Sequence, residues 1–215
     1  MPVNIPLFTS IRAQLEQQNV TLVAVSKTKP NEDIMALYEL GQRDFGENYV
    51  QELVAKQQAL PADIRWHFIG HLQSNKVKMI APFVHLIHGV DSNKLLLEIN
   101  KQGAKLNRNI GCLLQVYIAK EDSKFGLDES EILEIASIQS TLHSVSIRGM
   151  MGMASFTTDT EQVRREFSNM YAISKTFPFA TDPIISMGMS NDYSIAIEEG
   201  SNMVRIGSLL FGSRQ

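Results

Sequence analysis

Lys27 closes an apolar, β-branched stretch, TLVAVSK, at residues 21–27. Most lysines are solvated surface groups. One drawn out of water has a lowered pKa and can attack a carbonyl carbon as a free amine. The spacing fits both readings. Lys29 has the same parity as Lys27, but it lies in the turn before Pro30, where solvent is expected. Arg205 sits between Val204 and Ile206. A guanidinium inside an apolar strand needs a partner, because an unpaired buried charge is expensive. Glu47 or Asp91 could supply an ion pair; otherwise Arg205 is a permanent cation facing a ligand ring or anion. A third group combines glycines and hydroxyls, in MGMSND at 187–192 and IGSLLF at 206–211. Glycine lets a backbone approach a phosphate closely, with exposed N–H groups as donors. The hydroxyls of Ser190 and Ser208 add further donors. The plainer reading is that Gly207-Ser208 ends a strand and caps a final turn.

Other signals are weaker. His67 and His71 are four apart, but they straddle a strand end with Gly70 between them. No carboxylate or cysteine is seen to complete a site, so no metal is expected. Asn48, Asp91 and Arg148 are polar residues at or within strands. Met150-Met151-Gly152-Met153 reads as core or pocket lining. Cys112 lies in an apolar run and reads as a buried, inert thiol; within one chain it can form no disulfide. No G-x-S-x-G elbow, Walker loop or Cys–His pairing is present.

The elements that must position these residues alternate regularly. Strands are expected at 21–27, 44–48, 64–70, 85–90, 110–119, 145–151, 183–187 and 203–206. Helices are expected at 31–40, with Asn31 as N-cap and Gly41 just past the end, then at 49–60 and 74–83. After the fourth strand, Asp91 or Ser92 caps the next helix. Further helices are expected at 129–140, 160–176 and 193–199, and one near 8–18 precedes the first strand. Alternating β and α segments call for a parallel sheet covered by helices. Eight such units favour closure into a (β/α)8 barrel, with an open doubly wound sheet as the alternative. In a barrel the working residues collect at the C-terminal ends of strands, and phosphate sites often form after strands seven and eight. Linkers are short, so one domain, 1–215, is expected.

With 215 residues, 44% of them hydrophobic, the chain can bury one full core. A net charge of −3 gives no electrostatic case for nucleic acid or an anionic membrane. Residues 1–12 lack the pattern of a signal peptide, and no apolar run approaches the roughly 18 residues that span a bilayer. A cytoplasmic monomer is expected.

At the same residues the sequence resembles the pyridoxal phosphate homeostasis proteins. The resemblance covers nearly the whole chain. It rests on VSKTKP at 25–30, FGENY at 45–49, HFIGHLQSNK at 67–76, SMGMS at 186–190 and VRIGS at 204–208. It implies a single barrel, similar to the N-terminal domain of alanine racemase without its second, β-rich domain. It implies that Lys27 holds pyridoxal 5'-phosphate as a Schiff base and that Asn48 lies beside the cofactor. Ser190, Gly207 and Ser208 would hold the phosphate, and Arg205 would face the pyridine nitrogen. Ser208 stands where many relatives have threonine, which keeps the hydroxyl. Asn191 stands where many have aspartate, which removes a carboxylate from the phosphate loop.

The implied role is buffering or delivery of the cofactor, with indirect effects on amino-acid and keto-acid balance and with cofactor-dependent apoenzymes as transient acceptors. An arginine at the ring nitrogen disfavours its protonation and mutes carbanion chemistry. The alternative is a racemase, which needs acid/base groups on opposite faces of the substrate α-carbon. Racemases of this barrel type take the second base from their additional domain; Tyr49 is a possible substitute that nothing favours. By spacing alone, an aldolase-like enzyme with Lys27 attacking a sugar phosphate fits as well. A second, transient cofactor site could use Lys120, Lys124 or other loop lysines.

Overall fold

A computed structural model of the chain describes residues 3–119 and 126–212. Lys120 and Lys124 lie outside these described residues. Eight parallel strands close on themselves in sequence order: β1 Thr21–Val25, β2 Asp44–Glu47, β3 Arg65–Phe68, β4 Leu86–Val90, β5 Ile110–Gln115, β6 Val145–Met151, β7 Ile184–Ser186 and β8 Met203–Ile206. Pairing of β1 with β8 makes the sheet a barrel and excludes the open form. Between them run α2 Asn31–Glu39, α3 Val50–Ala59, α4 Val77–Ile80, α5 Asn93–Lys105, α6 Glu129–Ile138, α7 Thr160–Thr176 and α8 Tyr193–Glu198. The expected N-terminal helix is α1, Ile5–Gln17. After β8 comes a single turn, α9, Ser208–Phe211. So short a helix cannot cover β8 and β1; α1 packs against both α9 and β1 and buries Phe8, Ile11 and Leu15 there.

Several expected boundaries move. β1 ends at Val25, because Thr28 turns into the left-handed region at φ 63°, which places Lys27 in the turn beyond the strand. Asn31 is the first helical residue of α2 and not its cap; extended Pro30 precedes it. Gly41 does follow α2, with φ 93°. Ser92 caps α5 by accepting the Leu95 N–H, at 3.3 Å. Asp91 is engaged by His71 instead. β5 stops at Gln115, and α4 is preceded by a 3-10 turn at Ser74–Lys76. No helix among the described residues is long and apolar enough to cross a membrane.

Alternation along each strand sorts side chains onto two faces. Outward residues such as Phe45, Phe68, Ile87, Cys112, Leu114, Met150 and Val204 join the buried faces of the helices in one large apolar cluster. Inward residues Val23, Leu86, Leu113, Met151 and Met203 form a separate small cluster in the lumen. The register places polar inward residues alongside them: His67 pairs with Leu86, Ser186 with Met203, and Arg205 with Val23.

Candidate functional site

The register between β1 and β8 assembles the mouth. Two residues above the Val23–Arg205 pair, Val25 packs beside Gly207: a Cβ on Gly207 would lie 3.3 Å from the Val25 Cβ. Lys27 follows Val25 by two residues, in the turn, and is half-buried. It therefore stands at the rim where β8 gives way to Gly207 and Ser208. Across the same corner, the Gly207 N–H donates to Ser190 Oγ at 3.3 Å. Ser190 belongs to the loop after β7, whose sharp turn is made by Gly188 at φ 93°. A Cβ there would come within 2.6 Å of the Ala196 Cβ, so the turn requires glycine. Ser190, Gly207 and Ser208 thus meet at one corner, as the strand order predicts. Asp192, a carboxylate not weighed from the sequence, folds back into this loop and accepts the Met189 N–H at 2.6 Å. Burial pushes its carboxyl up, against the Met189 bond and the charge of Arg205.

Arg205 lies below this corner and is only 4% exposed. Neither Glu47 nor Asp91 pairs with it. Glu47 points outward from β2, and Asp91 meets His71 at 2.8 Å. Arg205 is held by oxygens of the lumen instead. Nη1 donates to Ser186 O at 2.8 Å and to Ser186 Oγ at 2.7 Å, and Nη2 donates to Gly152 O at 3.0 Å. Nη1 has used both its hydrogens; Nε–H has no acceptor among the described residues. Burial brings the guanidinium down to about 10, opposed by the attraction of Asp192, so it stays charged at neutral pH. The result is a fixed, dehydrated cation with donor capacity to spare.

On the other flank of β1, Asn48 follows β2, and its Oδ1 is buried without a hydrogen-bond donor. Asn48, Tyr49, Gly70, His71, Gln73 and Lys76 line a cavity of about 280 Å³ there. Much of the HFIGHLQSNK motif is thereby spent on one wall of the mouth. Behind that wall, Lys56 of α3 donates to Glu47 Oε1 at 2.8 Å, to Glu52 Oε1 at 2.7 Å and to Ser26 O at 2.8 Å. Ser26 Oγ donates to Glu47 Oε1 at 2.6 Å. Burial raises the Glu47 carboxyl, although Lys56 and Ser26 oppose it. This outward network ties the residue before Lys27 to the residue before Asn48. Lys29 departs from expectation: its Nζ donates to Phe211 O at 2.8 Å, capping α9 rather than pointing into solvent.

His67 and His71 do not share a site. His71 is exposed at the mouth, while His67 is buried in the lumen. A carboxylate does stand beside His67, contrary to the sequence reading. Asp44, His67 and His85 bring ligand-type atoms within 4.8 Å of one another. The Asp44 carboxylate is already taken by Arg65, at 2.7 and 2.5 Å, and by His67 at 3.0 Å. The charges of Arg65 and Arg148 also bear on His85, so the cluster is poor ground for a further cation. Sequence reading missed Ser186, His88 and Asp44 as lumen residues. The signal was present as inward parity, but it needed the barrel register to be read.

A family model described as the alanine racemase N-terminal domain matches residues 8–215. The pyridoxal phosphate homeostasis protein of Vibrio alginolyticus is 40% identical over 204 residues, covering 92% of this chain and 88% of the relative. That of Escherichia coli (strain K12) is 38% identical over 207 residues, covering 92% and 87%. Among solved structures, PipY of Synechococcus elongatus PCC7942 with PLP bound superposes with a TM-score of 0.87 at 34% identity, covering 96% of this chain and 99% of that one. Alanine racemase of Bartonella henselae gives a TM-score of 0.74 at 15% identity, covering 97% of this chain and 59% of the racemase, a likeness of fold alone. The chain, with its closed eight-stranded barrel, belongs to the pyridoxal phosphate homeostasis protein family.

Proposed function

We propose that this chain binds pyridoxal 5'-phosphate as a Schiff base on Lys27 and serves the cell by buffering and delivering that cofactor. The observation that carries the reading is the β1–β8 register. It sets Val25, two residues before Lys27, beside Gly207, above the Val23–Arg205 pair. The residues fit the group. The corner offers N–H and O–H donors to a phosphate. Asn48 offers a buried acceptor lacking a donor. The free Nε–H of Arg205 suits a ring nitrogen that carries a lone pair rather than a proton. When bound, the cofactor supplies an aldehyde that an amine captures with loss of water, and a ring that can draw electrons.

The protein's own contribution is to hold and to mute. Arg205 cannot lose its charge at neutral pH, and it cannot accept a hydrogen bond. Beside the ring nitrogen of a bound cofactor, a fixed cation would keep protons off it, which would weaken the ring as an electron sink. Restraint of that kind suits a carrier that acts through cofactor-dependent apoenzymes, as a cytoplasmic monomer of one domain. The racemase alternative requires a second acid/base group. Tyr49 stands 56% exposed at the start of α3, and no observation favours it for that task.

The test is the ultraviolet–visible spectrum of purified protein with and without added pyridoxal phosphate. Wild type is expected to develop a visible band that borohydride bleaches, leaving a label on the peptide containing Lys27. Lys27→Ala is expected to show no such band. A band of equal strength in Lys27→Ala would overturn the assignment of the anchor. Rapid racemisation of an amino acid, lost in the same variant, would overturn the carrier reading.

A further inference from the structure

A chain of buried polar side chains runs through the lumen, and its two ends fix its direction. At one end, Arg205 can only donate. At the other, Asp44 can only accept. Burial alone would raise the Asp44 carboxyl, but hydrogen bonds from Arg65 and His67 and the charge of Arg65 outweigh it and hold the group well below the usual carboxylate range. Between them, Ser186 Oγ accepts from Arg205 Nη1 at 2.7 Å, which leaves its O–H to donate. The acceptor is His88 Nδ1 at 3.2 Å. His88 must then carry its proton on Nε2, which faces His67 Nδ1 at 2.9 Å. His67 in turn carries its proton on Nε2 and donates to Asp44 Oδ1 at 3.0 Å. With both imidazoles neutral, no link can reverse unless Asp44 takes up a proton.

We propose that Ser186, His88 and His67 are positioning residues for Arg205, acting as one hydrogen-bond relay whose direction is set by Asp44 at the opposite pole of the barrel. Aligned bonds polarise one another. The Ser186 end fixes the plane of the guanidinium, and with it the direction of the spare Nε–H. The relay requires both imidazoles to be neutral. Burial keeps His88 so, reinforced by the charge of Arg205; the charged or titratable groups facing the pair are Arg205 from β8, Asp44 from β2, Arg65 from β3 and His85, which precedes β4. A proton on His88 Nδ1 would turn the Ser186 hydroxyl away and break the chain at its middle.

The inference about the protein's own groups stands alone; its consequence for cofactor binding rests on the proposed function. The experiment separates the two. In cofactor-free protein with 15N-labelled histidine and arginine, NMR at about pH 7.5 is expected to show both His67 and His88 neutral and protonated on Nε2. It is also expected to show slow rotation of the Arg205 guanidinium. His67→Gln touches no part of the mouth, yet it is expected to shift the Arg205 Nε signal and speed that rotation. In the loaded protein, the same variant is expected to weaken pyridoxal phosphate binding about threefold to tenfold, the range of one hydrogen bond, with the visible band displaced. Should His67→Gln fail to fold, Asp44→Asn is expected to move the His88 signals, although the two residues do not touch. An Nδ1-protonated or charged histidine at that pH would overturn the relay. So would Arg205 and His88 signals indifferent to both variants. Absence of a visible band in wild type would overturn only the cofactor reading.

Discussion

The two faces of the barrel wall are built on opposite principles. Outside, between strands and helices, nearly every buried side chain is apolar, and aromatic rings such as Phe45, Phe68 and Phe167 fill the space. Inside, a small apolar cluster shares the lumen with Asp44, His67, His88, Ser186 and Arg205. The outer layer is bound by contact area, which is additive and tolerant of shape. The lumen is bound by hydrogen bonds in which each atom has one role. Such a network is worth most when complete, and one missing partner leaves a buried group unsatisfied. The contrast teaches a division of labour: the shell carries stability, while the lumen carries orientation toward the mouth. One exception in the shell is the Lys56–Glu47–Ser26 network, which lies directly behind Lys27 and Asn48.

Damage to the shell tests the first half of that division. Phe45→Ala removes a fully buried ring and leaves a cavity, and is expected to cost about 3–5 kcal/mol in denaturant unfolding. The fraction that remains folded is expected to bind pyridoxal phosphate normally. A folded variant with badly weakened binding would show that the shell also governs the site. The polar exception comes next. Lys56→Met leaves Glu47, whose Oε2 already has no partner, as an uncompensated buried acid. The expected loss is about 3 kcal/mol, reduced to the extent that Glu47 takes up a proton. Adding Glu47→Leu should recover most of it, because replacing both partners by apolar groups costs far less than stranding one. If the double variant is no more stable than the single, the network holds the Lys27 turn by more than mutual neutralisation.

The shell was the more legible region. Residues 145–151, 160–176 and 203–206 read correctly from the sequence as β6, α7 and β8, because apolar periodicity is a local signal. β1 read two residues too long, since Ser26 and Lys27 continue its pattern and only the left-handed backbone at Thr28 ends it. The meeting of Ser190 with Gly207 and Ser208 was also legible, because glycines and hydroxyls after adjacent strands announce themselves. The lumen was not. Ser186 and His88 are 98 residues apart in the chain, and neither stands out within its own strand. The partners of Arg205 were sought among carboxylates, as charge alone suggests, whereas the barrel satisfies it with carbonyls and a hydroxyl. Parity within the strands would have placed His67, His88, Ser186 and Arg205 on one face, had the barrel register been available.

Acid sharpens the comparison with a smaller effect. Burial lowers the His88 imidazole well below 6.5, and burial with the neighbouring His67 lowers His85 as well. A base with a depressed folded pKa contributes stability that is complete above its unfolded pKa. That contribution is lost as pH falls below it, because the unfolded chain binds the proton first. Melting temperature is therefore expected to fall between about pH 7 and about pH 5, before Asp44 begins to matter, and His88→Asn should flatten that fall. An unchanged slope would assign the acid sensitivity elsewhere.

The smallest expected effect is no effect at all. Cys112 faces the shell from β5, wholly buried, and burial pushes its thiol up to about 12. A thiol reagent needs both access and thiolate, and the folded shell denies both. Lys27 at the mouth should react with an added aldehyde within minutes, whereas Cys112 should be labelled only as fast as the whole barrel unfolds. Labelling much faster than unfolding would mean that the helix layer opens by itself over β5 while the lumen stays closed. The shell would then no longer be the rigid half of the pair.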